Sequence, residues 1–276
     1  MDSVTIVKLG GSAITDKTRE CTPDIPVIQH VADQLSGYNG SLVIIHGGGS
    51  YAHPFAAASG LANGLHRKSQ LRSIAETEFY LGQLTRIVCA SLLLRNRLPV
   101  PLHPLSFVTL DKGKVAAMTM HSISSALKVG LTPLTHGDLV FDESRGIGIL
   151  SGDRIAALIG ARLKASRVLL GCDVDGVYSG DPKASRGPAL ISEVTPDNFR
   201  MVLRASRKIS RDATGGMDEK AKWALALARG GCECYIFNLK KRGNLRKLLA
   251  GDEDIGTRFL PWKRARKSLT LRRPRA

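Results

Sequence analysis

The sequence predicts an α/β protein built on a mainly parallel, open sheet. Short runs rich in β-branched residues alternate with longer helical patterns, and glycine-rich loops follow two of the early runs. This alternation is typical of βαβ units, because parallel strands need a crossover connection that is usually helical. The 276 residues suffice for one large domain or for two closely joined lobes with a sizeable core.

The first half of the chain supplies four predicted strands and two predicted helical regions. The strands are short and apolar, and they cover 4–9, 41–46, 101–105 and 131–134. The helical regions cover 26–35 and 71–97, the latter as one helix or two. Pro99 and Pro101 mark the end of the longer region, and residues 111–114 carry a hairpin turn signal.

The second half opens with a predicted hairpin over 140–150. Helices are then expected at 152–163 and 217–229, strands at 167–171 and 234–238, and an extended segment at 174–178. A boundary in the hairpin divides the chain into an N-terminal lobe, 1–145, and a C-terminal lobe, 146–262. We expect the two lobes to pack on one continuous sheet.

Positive charge is the most unusual feature of the composition. The formal net charge is +16, and seven basic residues with no acidic residue lie among the last fourteen positions: Lys263, Arg264, Arg266, Lys267, Arg272, Arg273 and Arg275. We expect 263–276 to be a solvated, disordered tail that binds polyanions without specificity. Without these seven charges the rest of the chain still carries +9, which suits a protein whose ligands are phosphates.

The composition disfavours several classes of protein. An aromatic content of 5% and the lack of a reading motif argue against a dedicated nucleic-acid binder. No apolar run approaches the roughly 18 residues that span a membrane, and residues 1–9 read as a strand and not as a signal peptide. We therefore expect a cytoplasmic protein with no membrane partner. The scattered cysteines predict buried free thiols and no zinc site: Cys21, Cys89, Cys172, Cys232 and Cys234.

The first glycine loop, Gly10-Gly11-Ser12, follows the first strand. Loops at the carboxyl ends of parallel strands are where ligands bind, and glycine lets backbone N–H groups approach an anion closely. Lys8 lies near the end of the same strand, where an ammonium group is costly to desolvate unless an anion meets it. This loop therefore predicts a phosphate site, although Lys8 could also reach solvent.

The second glycine loop, Gly47-Gly48-Gly49, follows the second strand and also favours phosphate binding. Three consecutive glycines leave only backbone donors, and His53 falls at the start of the next predicted helix, beside the anion that those donors hold. We predict His53 as a phosphate ligand. His46, at the end of the strand, is expected to be a hydrogen-bonded core residue.

Four segments resemble the amino acid kinase superfamily in their order and spacing: 7–12 (Val-Lys-Leu-Gly-Gly-Ser), 46–50 (His-Gly-Gly-Gly-Ser), 173–182 (Asp-Val-Asp-Gly-Val-Tyr-Ser-Gly-Asp-Pro) and 214–220 (Thr-Gly-Gly-Met-Asp-Glu-Lys). The resemblance covers residues 4 to about 259. It implies a three-layer αβα sandwich, with the acceptor bound by the N-terminal lobe and ATP bound by the C-terminal lobe.

Within the superfamily, the chain most resembles the isopentenyl phosphate kinases of the archaeal-type mevalonate route. The supporting segments are 14–17, 149–153 and 255–258, together with His53 four residues after Gly49. These enzymes use MgATP to convert isopentenyl phosphate into isopentenyl diphosphate. Ala52, where glycine is usual, His136, where a tyrosine is expected, and the basic tail depart from the pattern.

The resemblance also implies roles for individual residues and a homodimeric assembly. Catalysis is assigned to Lys8, Lys17, Asp153 and Lys220, with Asp153 orienting the lysines. Binding of the acceptor phosphate is assigned to Gly48, Gly49, Gly152 and His53. ATP binding is assigned to Lys8, Gly10, Gly11, Ser12, Gly49, Asp173, Tyr178, Asp181, Gly216 and Lys220, with Asp212 as a weaker candidate. Mg²⁺ is expected as a cofactor, without dedicated protein ligands. Asp173 and Asp181 could serve turn formation as well.

Other activities stay open at this point. A fosfomycin or other phosphonate kinase would also need a histidine that grips an anion. Glutamate 5-kinase and acetylglutamate kinase bind a zwitterion, for which residues 49–65 lack carboxylates, and uridylate kinase reads a base. A protein that binds phosphate ligands or nucleic acid without catalysis is the alternative outside the enzymes. For the hydrocarbon of the acceptor we predict a slot along 71–98, with Phe79 and Tyr80 setting its length.

Overall fold

The computed structural model describes residues 3–52, 59–180, 187–209 and 216–262. The strands in these ranges are β1 Thr5–Leu9, β2 Leu42–His46, β3 Pro99–Pro101, β4 Val108–Asp111, β5 Lys114–Met118, β6 Thr132–His136, β7 Asp138–Asp142, β8 Gly146–Leu150, β9 Arg167–Cys172, β10 Glu193–Val194, β11 Glu233–Asn238 and β12 Thr257–Phe259. The helices are α1 Gly11–Ile14, α2 Ile25–Ser36, α3 Gln70–Leu93, α4 His121–Lys128, α5 Gly152–Leu163, α6 Phe199–Ile209, α7 Gly216–Arg229 and α8 Asn244–Ala250.

The main sheet has eight strands in the order β10-β12-β11-β9-β1-β2-β6-β3. All neighbours are parallel except β11 and β12. β1 lies at the centre, with Leu9 in register with His46 of β2 and with Gly171 of β9. The loops that follow β1, β2 and β9 therefore lie next to one another, at the carboxyl ends of these strands.

Two apolar layers cover the main sheet, because consecutive side chains of a strand point to opposite faces. Ile6, Ile45 and Leu170 pack on one face with buried residues of α5 and α7. Val7 and Ile44 pack on the other face with α2, α3 and α8. The predicted three-layer αβα sandwich with a mainly parallel sheet is confirmed.

The prediction of one continuous sheet is wrong. A separate four-stranded sheet has the order β5-β4-β7-β8. Its buried residues Val108, Leu110 and Val140 belong to the same apolar cluster as Ile6 of the main sheet. The buried carboxylate of Asp142 accepts backbone N–H bonds from Lys112, Gly113, Ser144 and Arg145, so it fixes two turns of this sheet. The predicted lobe boundary at 145/146 falls in the β7–β8 turn.

Proline explains the error in the predicted strand 101–105. The expected strand 101–105 is instead the edge strand β3, followed by a 3₁₀ turn at Pro104–Ser106. Proline has no N–H to donate, so Pro99 and Pro101 fit a strand with only one neighbour. The predicted helical region 71–97 is a single helix, α3, which ends at Leu93.

The described cysteines all carry free thiols. Cys172, Cys232 and Cys234 are buried as predicted, whereas Cys21 and Cys89 are partly exposed. No helix within the described ranges is both long enough and apolar enough to cross a bilayer.

Candidate active site

Two buried lysines converge on one carboxylate at the carboxyl end of β1. Lys8 Nζ lies 2.9 Å from Asp153 Oδ1, and Lys220 Nζ lies 2.8 Å from each carboxylate oxygen of Asp153. Lys8 comes from β1, Asp153 from the first turn of α5 and Lys220 from the beginning of α7. The two lysines are 7% and 6% exposed, so water screens their charges weakly. We call these three residues the lysine cluster.

The lysine cluster carries a net positive charge near neutral pH. Burial lowers the pKa of Lys8 to about 8, because desolvation outweighs the attraction of Asp153. Burial alone would raise the pKa of Asp153, but Lys220 and Lys8 hold it well below its usual range. Burial would also lower the pKa of Lys220, but the Asp153 carboxylate outweighs it and raises that pKa. Two ammonium groups thus face one carboxylate, which leaves charge to attract an anion.

The two glycine loops pack backbone against backbone beside the lysine cluster. A Cβ atom at Gly10 would lie 2.6 Å from the carbonyl oxygen of Gly171, and one at Gly47 would lie 2.6 Å from the amide nitrogen of Gly11. Gly49 has a φ of +51° and touches Gly11, so it needs both the left-handed conformation and the missing side chain. These contacts explain why glycine occupies both loops.

Thr15 cross-links the two loops. Its hydroxyl donates to the carbonyl of Gly11 at 2.7 Å and accepts from the backbone N–H of Ser50 at 3.0 Å. The residue is 1% exposed, so this bond pair is shielded from water. The buried Thr15 hydroxyl therefore helps the glycine packing to set the spacing between the two loops.

The N-terminus of α5 enters the same space. Ser151 caps the helix by accepting the N–H of Arg154, and a Cβ atom at Gly152 would lie 3.2 Å from Lys8 Cε and 3.4 Å from the carbonyl oxygen of His46. A side chain at 152 would therefore crowd the lysine cluster. The helix contributes a positive dipole end at this position.

Lys17 and Asp173 form a second charged pair at the first glycine loop. Lys17 Nζ lies 3.1 Å from Asp173 Oδ2, and Ser12 Oγ donates to Asp173 Oδ1 at 3.0 Å. The Lys17 side chain is 55% exposed, so it is free to change partner at low cost. Burial would raise the pKa of Asp173, but Lys17 keeps it below its ordinary value. Lys17 and Asp173 therefore lie beside the first glycine loop, outside the lysine cluster.

A hydrogen-bonded hub around Asp175 was not foreseen from the sequence. The Asp175 carboxylate accepts from Tyr178 Oη at 3.2 Å and Asn238 Nδ2 at 3.0 Å, and it pairs with Lys241 Nζ at 2.8 Å. Tyr178 was predicted as a nucleotide contact, and the structure places it on this hub. The signal available was the second aspartate of Asp-Val-Asp-Gly, but two of its three partners, Asn238 and Lys241, lie more than 60 residues away.

The structure brings some of the predicted site residues together and separates others. Lys8, Asp153 and Lys220 meet, and the glycine loops and Gly152 lie beside them. Ser12 and Lys17 both contact Asp173, and Tyr178 lies on the hub around Asp175. Gly48 is in contact range of Ala52 and Leu81, and Gly216 begins α7, one turn before Lys220. His53, Asp181 and Asp212 lie outside the described residues, as does the tail 263–276.

Comparison with known proteins assigns the chain to a family. The profile described as "Amino acid kinase family" matches residues 3–238. An isopentenyl phosphate kinase from Methanothermobacter thermautotrophicus is 33% identical over 262 residues, which cover 92% of this chain and 98% of the relative. The chain belongs to the amino acid kinase family.

Further comparisons with this amino acid kinase support the same family assignment. An isopentenyl phosphate kinase from Methanocaldococcus jannaschii is 28% identical over 261 residues, covering 90% of this chain and 96% of the relative. A solved X-ray structure of isopentenyl phosphate kinase matches with a TM-score of 0.80 and 30% identity, covering 93% of this chain and 99% of that chain. The resemblance recognised in the sequence is thereby confirmed.

Three histidines of this amino acid kinase lie close together near the ends of β2, β3 and β6. His46 is buried and bonds Thr85 Oγ1 at 2.9 Å, as expected for a core residue. The ring of His136, the departure noted in the sequence, lies 5.2 Å from the rings of both His46 and His103. Burial lowers the pKa of His46 to about 3 and that of His136 to about 4. Both imidazoles are therefore neutral near pH 7 and add no charge at this end of the sheet.

The apolar residues of α3 in the region predicted for the hydrocarbon slot lie in different environments. Phe79 is 59% exposed, and Tyr80 packs against the core that α2 and α3 share. Ile74, in the same region, packs against a small cluster of Leu61, Leu139 and Ile147, between α3 and the four-stranded sheet. The slot itself stays a prediction.

Proposed function

We propose that this protein transfers the terminal phosphoryl group of ATP to isopentenyl phosphate, giving isopentenyl diphosphate and ADP. The lysine cluster is the main support for this proposal. Its two buried ammonium groups lie beside two glycine loops, which have no side chains to cover their backbone N–H groups. Such a site suits the charge that spreads over a phosphoryl group in transfer. The relatives named isopentenyl phosphate kinase, which align over most of the chain, support this acceptor.

The chemistry needs positioned charge and no strong base. A phosphate monoester is already largely ionised near neutral pH, so its oxygen can attack the γ-phosphorus directly. Asp153 is engaged by two ammonium groups and has a very low pKa, so it orients Lys8 and Lys220 and takes no proton. Lys8 and Lys220 then neutralise the transferring group, and Lys17 leaves Asp173 to join them.

We propose that the N-terminal lobe, 1–145, mainly binds the acceptor and the C-terminal lobe, 146–262, mainly binds ATP, while Gly152 serves the acceptor and the first glycine loop serves ATP. Gly48, Gly49, Gly152 and His53 hold the acceptor phosphate through N–H groups. Each charge-assisted hydrogen bond of this kind is worth about 1.5–3 kcal/mol. The ATP side consists of the first glycine loop together with Asp173, Tyr178, Asp181 and Gly216. The hub around Asp175 supports Tyr178 there.

Mg²⁺ fits this site as a companion of ATP. Among the described residues, no three His, Cys, Asp or Glu side chains are grouped as a metal site. Mg²⁺ commonly uses one or two carboxylates together with substrate phosphates. Asp173 is the carboxylate that could serve, since Asp153 is occupied by two lysines. When bound, Mg²⁺ reduces the charge on the ATP phosphates.

We also propose that the protein acts as a cytoplasmic homodimer in the archaeal-type mevalonate route. The resemblance implies the dimer and the route. The exposed Leu94 and Leu98, 78% and 52% exposed beside the edge strand β3, provide an apolar surface suited to a second copy. Light scattering on the purified protein gives the mass directly, and a monomer at micromolar concentration would contradict the dimer.

A coupled ADP-release assay tests the proposed reaction. Isopentenyl phosphate, dimethylallyl phosphate, fosfomycin, glutamate and uridylate are offered in parallel at equal concentration. We expect turnover with isopentenyl phosphate to exceed that with fosfomycin, glutamate and uridylate by at least about tenfold in kcat/KM. Faster turnover of fosfomycin would assign a phosphonate kinase, and no ADP release with any acceptor would point to a non-catalytic protein.

A further inference from the structure

Arg154 follows Asp153 in the first turn of α5, yet its side chain turns away from the lysine cluster. Its Nη2 donates to the carbonyl oxygen of Gly113 at 2.9 Å, and its guanidinium carbon lies 5.7 Å from the centre of the Trp223 ring. Burial lowers the pKa of Arg154, and the carboxylate of Glu219 opposes that effect. The guanidinium group is thus held by a carbonyl, an aromatic face and a nearby negative charge.

These contacts place two neighbouring residues of α5 on two residues of α7 that share a helical face. Asp153 contacts Lys220, and Arg154 contacts Trp223, three residues later on α7. Residues three apart on a helix are neighbours on its surface. These two polar contacts add to the apolar packing between α5 and α7, and together they oppose both rotation of α7 and its separation from α5.

Both ends of the Arg154 contact are themselves fixed. The Gly113 N–H donates to the buried carboxylate of Asp142 at 2.7 Å, so the turn that presents the Gly113 carbonyl is held by the four-stranded sheet. On the other side, Trp223 Nε1 donates to Glu219 Oε1 at 3.3 Å, which orients the ring. Arg154 therefore connects a rigid turn of the four-stranded sheet to the helix that carries Lys220.

We propose that Arg154 is a positioning residue that holds helix α7 against α5 and the β4–β5 turn, and so keeps Lys220 on Asp153 during phosphoryl transfer. The inference rests on the proposed kinase function of the lysine cluster. Lysine has a long, flexible side chain, so the place of its ammonium group depends on where α7 sits. A displacement of about 1 Å in such a site can cost up to a hundredfold in rate.

Kinetics of four variants give the first test. We expect Arg154→Met to lower kcat about tenfold while KM for isopentenyl phosphate stays within about twofold, because the acceptor contacts are untouched. Arg154→Lys restores only part of the loss, since an ammonium group lacks the planar fork. Trp223→Phe, the matched control, keeps an aromatic face and stays near wild type, whereas Trp223→Ala behaves like Arg154→Met. Wild-type kcat in Arg154→Met would overturn the proposal.

The pH dependence of ATP affinity separates positioning from a merely structural role. If Lys220 withdraws from Asp153, its repulsion of Lys8 weakens while the attraction of Asp153 remains. Calorimetric titration with ATP should then show the alkaline loss of affinity at a higher pH in Arg154→Met than in wild type. A structural role would lower the melting temperature without moving this midpoint, and an unmoved midpoint would contradict the proposal.

The ATP titration also keeps the two hypotheses apart, because it needs no acceptor. Wild-type protein that binds ATP but ignores isopentenyl phosphate would refute the proposed acceptor and leave the role of Arg154 testable by the midpoint. If Arg154→Met fails to fold, Trp223→Ala and Arg154→Lys carry the same measurement. An unchanged midpoint in both of these variants would likewise overturn the proposal.

Discussion

Lys8 shows how burial sets the chemistry of a single residue. Its ammonium group has lost most of its water, and one carboxylate shared with Lys220 only partly replaces it. The pKa therefore lies near 8, below the usual value of 10.5. An incoming phosphate supplies the missing negative charge, so the site gains most from the ligand that it is proposed to bind.

The first prediction concerns the pH dependence of ATP use. ATP should bind the protonated Lys8 and raise its pKa, so affinity is lost as pH rises through the unliganded value of about 8. We expect kcat/KM for ATP to be level between pH 6.5 and 7.5 and to fall by up to about tenfold per pH unit above 8. A steady-state pH profile checks this. A level profile up to pH 9.5 would contradict it.

The second prediction concerns Asp153, whose carboxylate separates two buried positive charges. Asp153→Asn removes that charge and leaves Lys8 and Lys220 to repel each other. We expect the free energy of unfolding to fall by about 3–5 kcal/mol, the usual cost of breaking a buried ion pair. Urea denaturation at pH 7 measures it.

Asp33→Asn is the matched control for this prediction. It breaks an ion pair with Arg95 in which the aspartate is 54% exposed, and it should cost less than about 1 kcal/mol. Equal losses in the two variants would show that burial adds nothing at Asp153.

At the scale of elements, the central feature is the close approach of the two glycine loops. A side chain at Gly49 would overlap Thr15 Oγ1 and approach the carbonyl of Gly11 to 2.7 Å. Both loops are needed to bring two anions together, so a small separation of the loops should affect turnover strongly.

The third prediction follows from that packing. Gly49→Ala should cost about 2–4 kcal/mol in unfolding free energy, since it adds overpacking to the strain of φ = +51°, and it should reduce kcat/KM by at least about tenfold. Gly130→Ala is the control, because Gly130 has φ = +82° with nothing within 4 Å of its Cβ position. That variant should cost only about 1–2 kcal/mol and keep its activity. Wild-type kinetics in Gly49→Ala would count against the loop contact.

The elements that the sequence predicted well are those whose signal is local. The helix 152–163 begins with a capping serine and has a clear apolar face, and its predicted bounds match α5. The amphipathic helices α4 and α6 were missed, and the strand at 101–105 was misplaced because prolines there mark an edge that only the finished sheet defines.

The candidate site likewise contains some residues that local sequence motifs predict and others that they do not. Glycine loops and the lysines beside them could be found from sequence, because each motif is contiguous. The hub of Asp175 with Asn238 and Lys241, and the contact of Arg154 with Gly113 and Trp223, join segments that are distant in the chain. No sequence pattern indicates such pairings, since they depend on the order of the strands in the folded sheet.

At the scale of the whole molecule, charge is unevenly distributed. Seven of the charges that make up the net +16 belong to residues 263–276, which follow the last described residue, Trp262. The proposed site residues all precede residue 263. Catalysis and polyanion binding should therefore be separable.

The fourth prediction tests this separation. Deleting 263–276 should leave kcat and KM for both substrates within about twofold, because no proposed site residue is removed. The deletion should markedly lower the salt concentration at which the protein leaves a heparin column, because fewer counterions are released on binding. Unchanged elution would place the polyanion-binding charge elsewhere, and lost activity would give the tail a catalytic role.

The most direct test of the account is the single-turnover rate of Lys220→Met with saturating ATP and isopentenyl phosphate. If the lysine cluster stabilises the transferring phosphoryl group, that rate should fall at least about a hundredfold, as when a preorganised charge donor is removed from a closed site. The affinity for isopentenyl phosphate should stay within about twofold, because the acceptor is held by the second glycine loop. A folded Lys220→Met protein that turns over within about twofold of wild type would contradict the account.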